Sequence, residues 1–305
     1  MKTLIIAALI FLDIIPHSIP YVTDTQKNLE DKVKVEQKQT VNDNSQSIDF
    51  SPLPNKKSNF YLPGVGAKAY EAIDMGTSEI MLEKNTDESL EIASLTKLMT
   101  ARLLLKDGDL NKTVVVNDLS KVRFDDSKAN LVLGDELAYR DILRTLLIDS
   151  ASDAALTIAN NLYPGGYNTF VTKMNAEATN LNMKDTHYDN PVGWDSSKNF
   201  SSTNDLQILT RTLLQNEDFK KIVSTSSETI TSERGNNYAL TNTNILLDGK
   251  TVFGVKTGHT PSAGDCLIAL TKVKNRDVLF VILGASDRFY ETRNLLSWTD
   301  LVYNW

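Results

Sequence analysis

Strand-like segments at both ends of the chain and helix-like segments between them predict an α/β (α+β) fold. The expected architecture is one antiparallel sheet flanked by helices, with an inserted helical subdomain. Two observations place the elements. Short apolar runs bounded by turn residues lie near residues 67–83 and return at 251–285. The stretch between them carries helical periods. A third bounds the size: 41% of the 305 residues are hydrophobic, enough to bury a sizeable core.

The elements follow in order. Residues 1–22 open with Met1-Lys2 and an apolar run from Leu4 to Ile15, interrupted by Asp13 and ended by Pro16 and Pro20. A run of that length is short for a membrane span and typical of a signal-peptide core. No clear Ala-x-Ala cleavage site follows, so the segment is expected to be a signal peptide or an uncut N-terminal anchor. A buried amphipathic helix is the competing reading. Export places the rest of the chain outside the cytoplasm. Residues 23–58 are polar and charged ("TQKNLEDKVKVEQKQTVNDNSQS"). They bury too little apolar surface to offset ordering entropy, and are expected to be a disordered linker.

The folded domain is expected over 59–305. Ala67–Asp74 and Glu79–Glu83 read as strands around the turn Met75-Gly76-Thr77-Ser78. Ile92–Lys106 has strong helix formers, apolar residues on nearly every side, and Gly108 at its stop, which predicts a buried helix. Helical periods continue over Tyr139–Asn160, Tyr167–Leu181 and Thr203–Gln215. Strands return at Thr251–Lys256, Asp265–Val273 and Val278–Ala285, and Arg288–Tyr303 closes as a helix.

Charge and composition exclude several functions. The net charge is −7 and no basic block stands out, which argues against nucleic acid. One cysteine, Cys266, permits no internal disulfide and sits in the apolar run Cys266–Leu270. His17, His187 and His259 lack ligand spacing. No metal or cofactor is expected.

Three short motifs carry chemistry. In Ser94-Leu95-Thr96-Lys97 the hydroxyl and the amine are three apart, and so neighbours on one helical turn. A buried lysine of lowered pKa can take the serine's proton, and a helix N-terminus favours the developing negative charge. Ser-x-x-Lys is common by chance, but it occurs only once here. Ser150-Ala151-Ser152-Asp153 follows an apolar helix, and its simplest explanation is helix capping. Lys256-Thr257-Gly258 ends a strand, where lysine can hold a carboxylate, a peptide can add as a strand and glycine admits a close neighbour. An ordinary strand-end turn is the plain alternative.

In this order and at these intervals the three motifs match the signature of class A β-lactamases and penicillin-binding proteins. The chain resembles that superfamily, and within it the D-alanyl-D-alanine carboxypeptidases, or low-molecular-weight penicillin-binding proteins. The likeness runs from about Ala67 to Ala285. It includes "IASLTKLMTA", "LLIDSASDAA", "NPVGWD", "FSSTNDL", "TNTNILL" and the highly specific "GVKTGHTPSAGDCLIAL".

The resemblance implies a β-lactamase/transpeptidase-like fold and acyl transfer without a metal or cofactor. Ser94 would be acylated and Lys97 would accept its proton. Ser150 would relay a proton to the leaving amine. Lys256 and Thr257 would bind the substrate carboxylate, with Ser152 facing the substrate. Backbone N–H groups of Ser94 and His259 would form the oxyanion hole. The implied partners are a peptidoglycan stem peptide ending in D-Ala-D-Ala and, as covalent inhibitors, β-lactam antibiotics. Membrane contact would come only through the N-terminal segment.

One departure stands out. The second motif of the family ends in Asn, and here that position is Ser152, whose hydroxyl is shorter and has a single donor. This favours, to a degree, a non-catalytic wall-binding homologue. A β-lactamase is the other alternative, but no Glu-x-x-Leu-Asn loop is evident where "HYDNPVGWD" stands. A Ser-His-Asp hydrolase lacks its Gly-x-Ser-x-Gly turn.

Overall fold

The computed structural model describes residues 52–57, 60–62 and 64–305. The expected leader and most of the expected linker lie outside the described residues. The folded part opens with β1 (Asn55–Lys56), β2 (Ala69–Asp74), β3 (Ile80–Lys84) and β4 (Leu90–Glu91). A 3-10 turn, Ala93–Thr96, runs into α1 (Lys97–Asp107). The middle holds β5 (Thr113–Val115), β6 (Glu136–Ala138), α2 (Tyr139–Ile148), α3 (Ser152–Asn161) and α4 (Gly166–Asn180). It continues through β7 (Phe200–Ser201), α5 (Thr203–Leu213), α6 (Glu217–Val223), β8 (Ser227–Thr231) and β9 (Asn237–Thr241). The chain ends with β10 (Val252–Thr260), β11 (Gly264–Val273), β12 (Arg276–Ala285), α7 (Arg288–Val302) and β13 (Tyr303–Asn304).

One five-stranded antiparallel sheet, in the order β10-β11-β12-β2-β3, joins the two ends of the chain. This is the expected α/β architecture. Both faces are buried, so the inner strands read as near-continuous apolar runs. Leu279, Val281 and Leu283 face the core shared with the helical region, whereas Val278, Phe280 and Ile282 face the core under α7. α5 packs on β2 and β12 from the first side, and α7 on β11 and β12 from the second. Cys266 is buried in the first core.

The structure differs from the sequence reading in three places. The helical periods read over Tyr139–Asn160 belong to two helices, α2 and α3, parted at Asp149–Ala151. Ser150 takes a left-handed φ of +57° there, a conformation that ends a helix. The strand pairs β4–β7, β5–β6 and β8–β9 and the helix α6 also have no counterpart in that reading. All are short, and α6 starts at an Asn216 cap that accepts from Phe219 N–H. Finally, the end of the segment expected as linker is ordered. β1 pairs with β13, Asn55 opposite Asn304 and Lys56 opposite Tyr303, and the Lys57 N–H donates to Val302 O. The boundary drawn between 58 and 59 therefore falls after a strand pairing. Among the described residues no helix is long and apolar enough to cross a membrane.

Candidate active site

Ser94 lies within the 3-10 turn that precedes α1, not inside the α-helix, and Lys97 is the first residue of α1. The turn is held from two sides by glycines. A Cβ on Gly258 would sit 3.0 Å from Ile92 O and 3.2 Å from Ser94 N, so β10 can run against the turn only because that position has no side chain. A Cβ on Gly193, whose φ is +101°, would meet Ala93 O at 1.9 Å. Ala93 itself has a φ of +47°, a costly conformation for a residue with a Cβ.

Lys97 is 1% exposed. Its Nζ donates to Ser94 Oγ at 2.9 Å and to Val192 O at 2.9 Å. Burial pushes its amine down to about 7, against the opposing attraction of Asp126 and Asp153. At neutral pH a large share of it is therefore a neutral amine able to accept a proton.

Lys256 is equally buried and donates to Ser150 Oγ at 2.6 Å and to Thr257 O at 3.1 Å. Burial lowers its pKa well below the ordinary lysine value, and the positive charges of Lys97 and Arg288 add to the shift. Two ammonium groups so close and so buried are costly together, and an arriving carboxylate would favour the charged form of Lys256. Thr257 Oγ1 shares a 2.6 Å hydrogen bond with Thr243 Oγ1.

Ser94, Lys97, Ser152 and His259 line one cleft of about 280 Å³, together with Val192, Gly193 and Trp194. Ser150, Lys256 and Thr257 are buried beside it and do not line it. Two larger cavities, about 490 and 340 Å³, contain none of these residues.

Ser152 is buried at the start of α3. Its side chain makes no capping bond, and its N–H donates to Ser127 O at 2.8 Å. Ser152 itself therefore does not cap α3, while the left-handed Ser150 closes α2 and Asp153 lies in the first turn of α3. Asp153 fixes the cleft wall, accepting from Leu131 N–H at 2.9 Å and Ala129 N–H at 3.3 Å. The His259 ring lies toward solvent and meets Asp265 Oδ1 at 2.6 Å through Nδ1.

Arg288 lies outside the three motifs. Its Nη1 donates to Gly258 O at 2.8 Å and to Asp265 Oδ1 at 3.1 Å, clamping β10 beside Ser94. Asp287 signals the start of α7, accepting from the Phe289 and Tyr290 N–H groups. That α7 begins next to Gly258 depends on sheet register, which no local pattern encodes. Trp194 also lines the cleft without belonging to any of the three motifs; its Nε1–H donates to Asp126 Oδ1 at 2.7 Å, and the Arg123 guanidinium covers its ring.

The profile of the family described as D-alanyl-D-alanine carboxypeptidase matches residues 56–287. The chain is 34% identical over 271 residues to D-alanyl-D-alanine carboxypeptidase DacD of Escherichia coli, covering 83% of this chain and 66% of that protein. It is 33% identical to D-alanyl-D-alanine carboxypeptidase DacF of Bacillus subtilis, with 72% of this chain and 58% of that one covered. The chain thus spans less than two thirds of the length of either relative. The crystal structure of the Streptomyces K15 DD-transpeptidase superposes with a TM-score of 0.73 at 27% identity, over 79% of this chain and 99% of that one. The chain belongs to the D-alanyl-D-alanine carboxypeptidase family.

Proposed function

We propose that the protein is a serine-type D-alanyl-D-alanine carboxypeptidase that removes the terminal D-Ala from peptidoglycan stem peptides outside the cytoplasm, and that it binds penicillin covalently. The observation that carries this reading is the 2.9 Å contact of Ser94 Oγ with a buried Lys97 whose amine titrates at about 7. Membership of the family supports the substrate class.

The proposed steps take their residue roles from the family resemblance. The substrate's terminal carboxylate reaches past the cleft lining to Lys256 and the Thr257 hydroxyl buried beside it, which would fix the scissile bond over Ser94. Ser94 Oγ attacks the carbonyl carbon and its proton passes to Lys97 Nζ. Backbone N–H groups of Ser94 and His259 receive the oxyanion. Gly258 supports this pairing, since its close approach to Ser94 N brings the end of β10 beside the nucleophile. The C–N bond breaks, the proton moves from Lys97 through Ser150 to the departing amine, and D-Ala leaves. Water then attacks the ester, Lys97 takes its proton, and Ser94 recovers its own as the shortened peptide departs.

The test is incubation of the full chain with fluorescent penicillin, followed by intact-mass analysis and by assay of D-Ala release from a pentapeptide. A covalent adduct on Ser94 and release of D-Ala are expected, with acylation rising as pH increases through about 7 as Lys97 becomes neutral. Ser94→Ala abolishes both. Labelling that persists in that variant, or a wild type that is never labelled, removes the assignment.

A further inference from the structure

Lys97 has two hydrogen-bond partners among the described residues: the nucleophile, Ser94, and the carbonyl of Val192. Ser152, where the family's asparagine would stand, is not one of them, and its short side chain has no amide oxygen to offer. The orientation of the base therefore rests on the turn that carries Val192.

That turn, Asn190-Pro191-Val192-Gly193-Trp194, is folded around one side chain. Asn190 is buried, and its Oδ1 accepts from three successive backbone N–H groups: Val192 at 3.1 Å, Gly193 at 2.6 Å and Trp194 at 3.1 Å. Its Nδ2 donates to Trp194 O at 3.3 Å. Three consecutive residues of the turn then meet the Ser94–Lys97 segment and α1. Pro191 O accepts from Thr100 Oγ1 at 2.7 Å, Val192 O accepts from Lys97 Nζ at 2.9 Å, and Gly193 abuts Ala93 O. Without the Asn190 amide, the buried N–H groups of Val192 and Gly193 and the half-buried one of Trp194 lose their acceptor, and the turn must rearrange to recover them.

We propose that Asn190 is a positioning residue for the acylation step: it folds the 190–194 turn so that the Val192 carbonyl holds Lys97 Nζ against Ser94 Oγ. The inference rests on the acyl-transfer reading above and assigns the orientation of the base to a residue outside the three motifs.

The experiment measures penicillin acylation rates against pH, and melting temperature, for the full chain and for Asn190→Ala and Asn190→Asp. A displaced base costs on the order of 10²-fold in rate, and that loss is expected for the alanine variant. Its apparent pH midpoint is expected to rise, because loosening the turn admits water to Lys97. Of the charged groups near Lys97, Asp153 and Lys256 lie on other segments, whereas Asp126 is held by Trp194 Nε1–H, so a loosened turn also weakens the hold on that carboxylate and offsets part of the rise. Asn190→Asp keeps an oxygen acceptor for the three N–H groups but sets its second oxygen against Trp194 O, where Nδ2 donated, and is expected to recover part of the rate. If the alanine variant does not fold, Asn190→Ser, whose hydroxyl cannot reach all three N–H groups, takes its place with the same expected direction.

The proposal is overturned if the alanine or serine variant acylates within about twofold of wild type, a difference of less than 0.5 kcal/mol. It is also overturned if the aspartate variant is as slow as alanine, or if only the melting temperature moves while the pH midpoint stays. A wild type that penicillin does not label removes the parent reading itself. That outcome is distinct from a labelled wild type with an indifferent Asn190.

Discussion

Ser152 is where a single residue separates competing accounts of the site. It is buried in the cleft with Ser94 and Lys97, yet its hydroxyl neither caps α3 nor bonds to Lys97. We propose that it serves the substrate. Loss of one donor near developing charge costs on the order of 10²-fold when it serves an oxyanion. Ser152 does not occupy that place, so Ser152→Ala is expected to slow acylation by roughly tenfold, about 1.4 kcal/mol of transition-state stabilisation. Its melting temperature should hardly change, because no structural hydrogen bond of the side chain is lost. Acylation at the wild-type rate, measured with penicillin, would mean that the hydroxyl does no work in the step. Nothing local in the chain signals how this residue is used. A serine ahead of Asp153 looks like a cap, but the cap position falls on Ala151 and Ser152 is the first residue of α3.

At the scale of elements, the interior strand β2 carries a cost. Glu71 lies between β12 and β3, opposite Val281 and Glu83, and is almost wholly buried. Its Oε2 has no hydrogen-bond partner among the described residues. Burial raises its carboxyl to about 7, Glu83 and Asp87 add to the rise, and Arg211 opposes it. The folded state therefore holds the proton more tightly than the unfolded chain. Stability from this group is intact below about 4.5 and is lost as pH rises to about 7. Glu71→Gln abolishes the penalty. Each tenfold difference in proton affinity between the folded and unfolded chain is worth about 1.36 kcal/mol, so the variant is expected to be more stable by up to about 3 kcal/mol above pH 7. Near pH 4.5 the gain should vanish. Thermal melts of both proteins at pH 5 and pH 8 check this, and an equal gain at both values would show that ionisation is not the cause. The alternation of β2 is readable in "AYEAID", but the burial of its glutamate is not. It depends on α5 crossing that face, and α5 is more than a hundred residues away.

At the scale of the whole molecule, legibility followed the range of the interactions. The strands of the sheet and most of the helices are local patterns and lie close to where those patterns placed them, whereas Ser94 falls in a 3-10 turn ahead of α1 and Lys256-Thr257-Gly258 lies within β10, which runs on to Thr260. Arg288 beside Gly258 and Asn190 beneath Lys97 depend on contacts between distant segments, and no window of sequence holds both partners. The N-terminal edge of the fold is the same kind of case. Lys57 and the residues before it look like linker because they are polar, yet β1 closes on β13 at the far end of the chain. Backbone pairing does not require apolar side chains, so composition alone does not exclude it. Besides the strand pair, the Lys57 N–H meets Val302 O, and the Lys56 ammonium sits 5.4 Å from the Trp298 ring centroid. Each such hydrogen bond contributes about 0.5–1.5 kcal/mol net, and an exposed cation–π contact about 0.5–1 kcal/mol. A chain starting at Asn59 should therefore be less stable than one starting at Pro52 by roughly 2–4 kcal/mol. None of the lost contacts touches the cleft, so penicillin acylation per folded molecule should be the same for both. Denaturant melts and acylation rates on the two truncated chains decide the matter. Equal stability would return residues 52–58 to the linker, and unequal acylation would show that the terminal pairing reaches the active site.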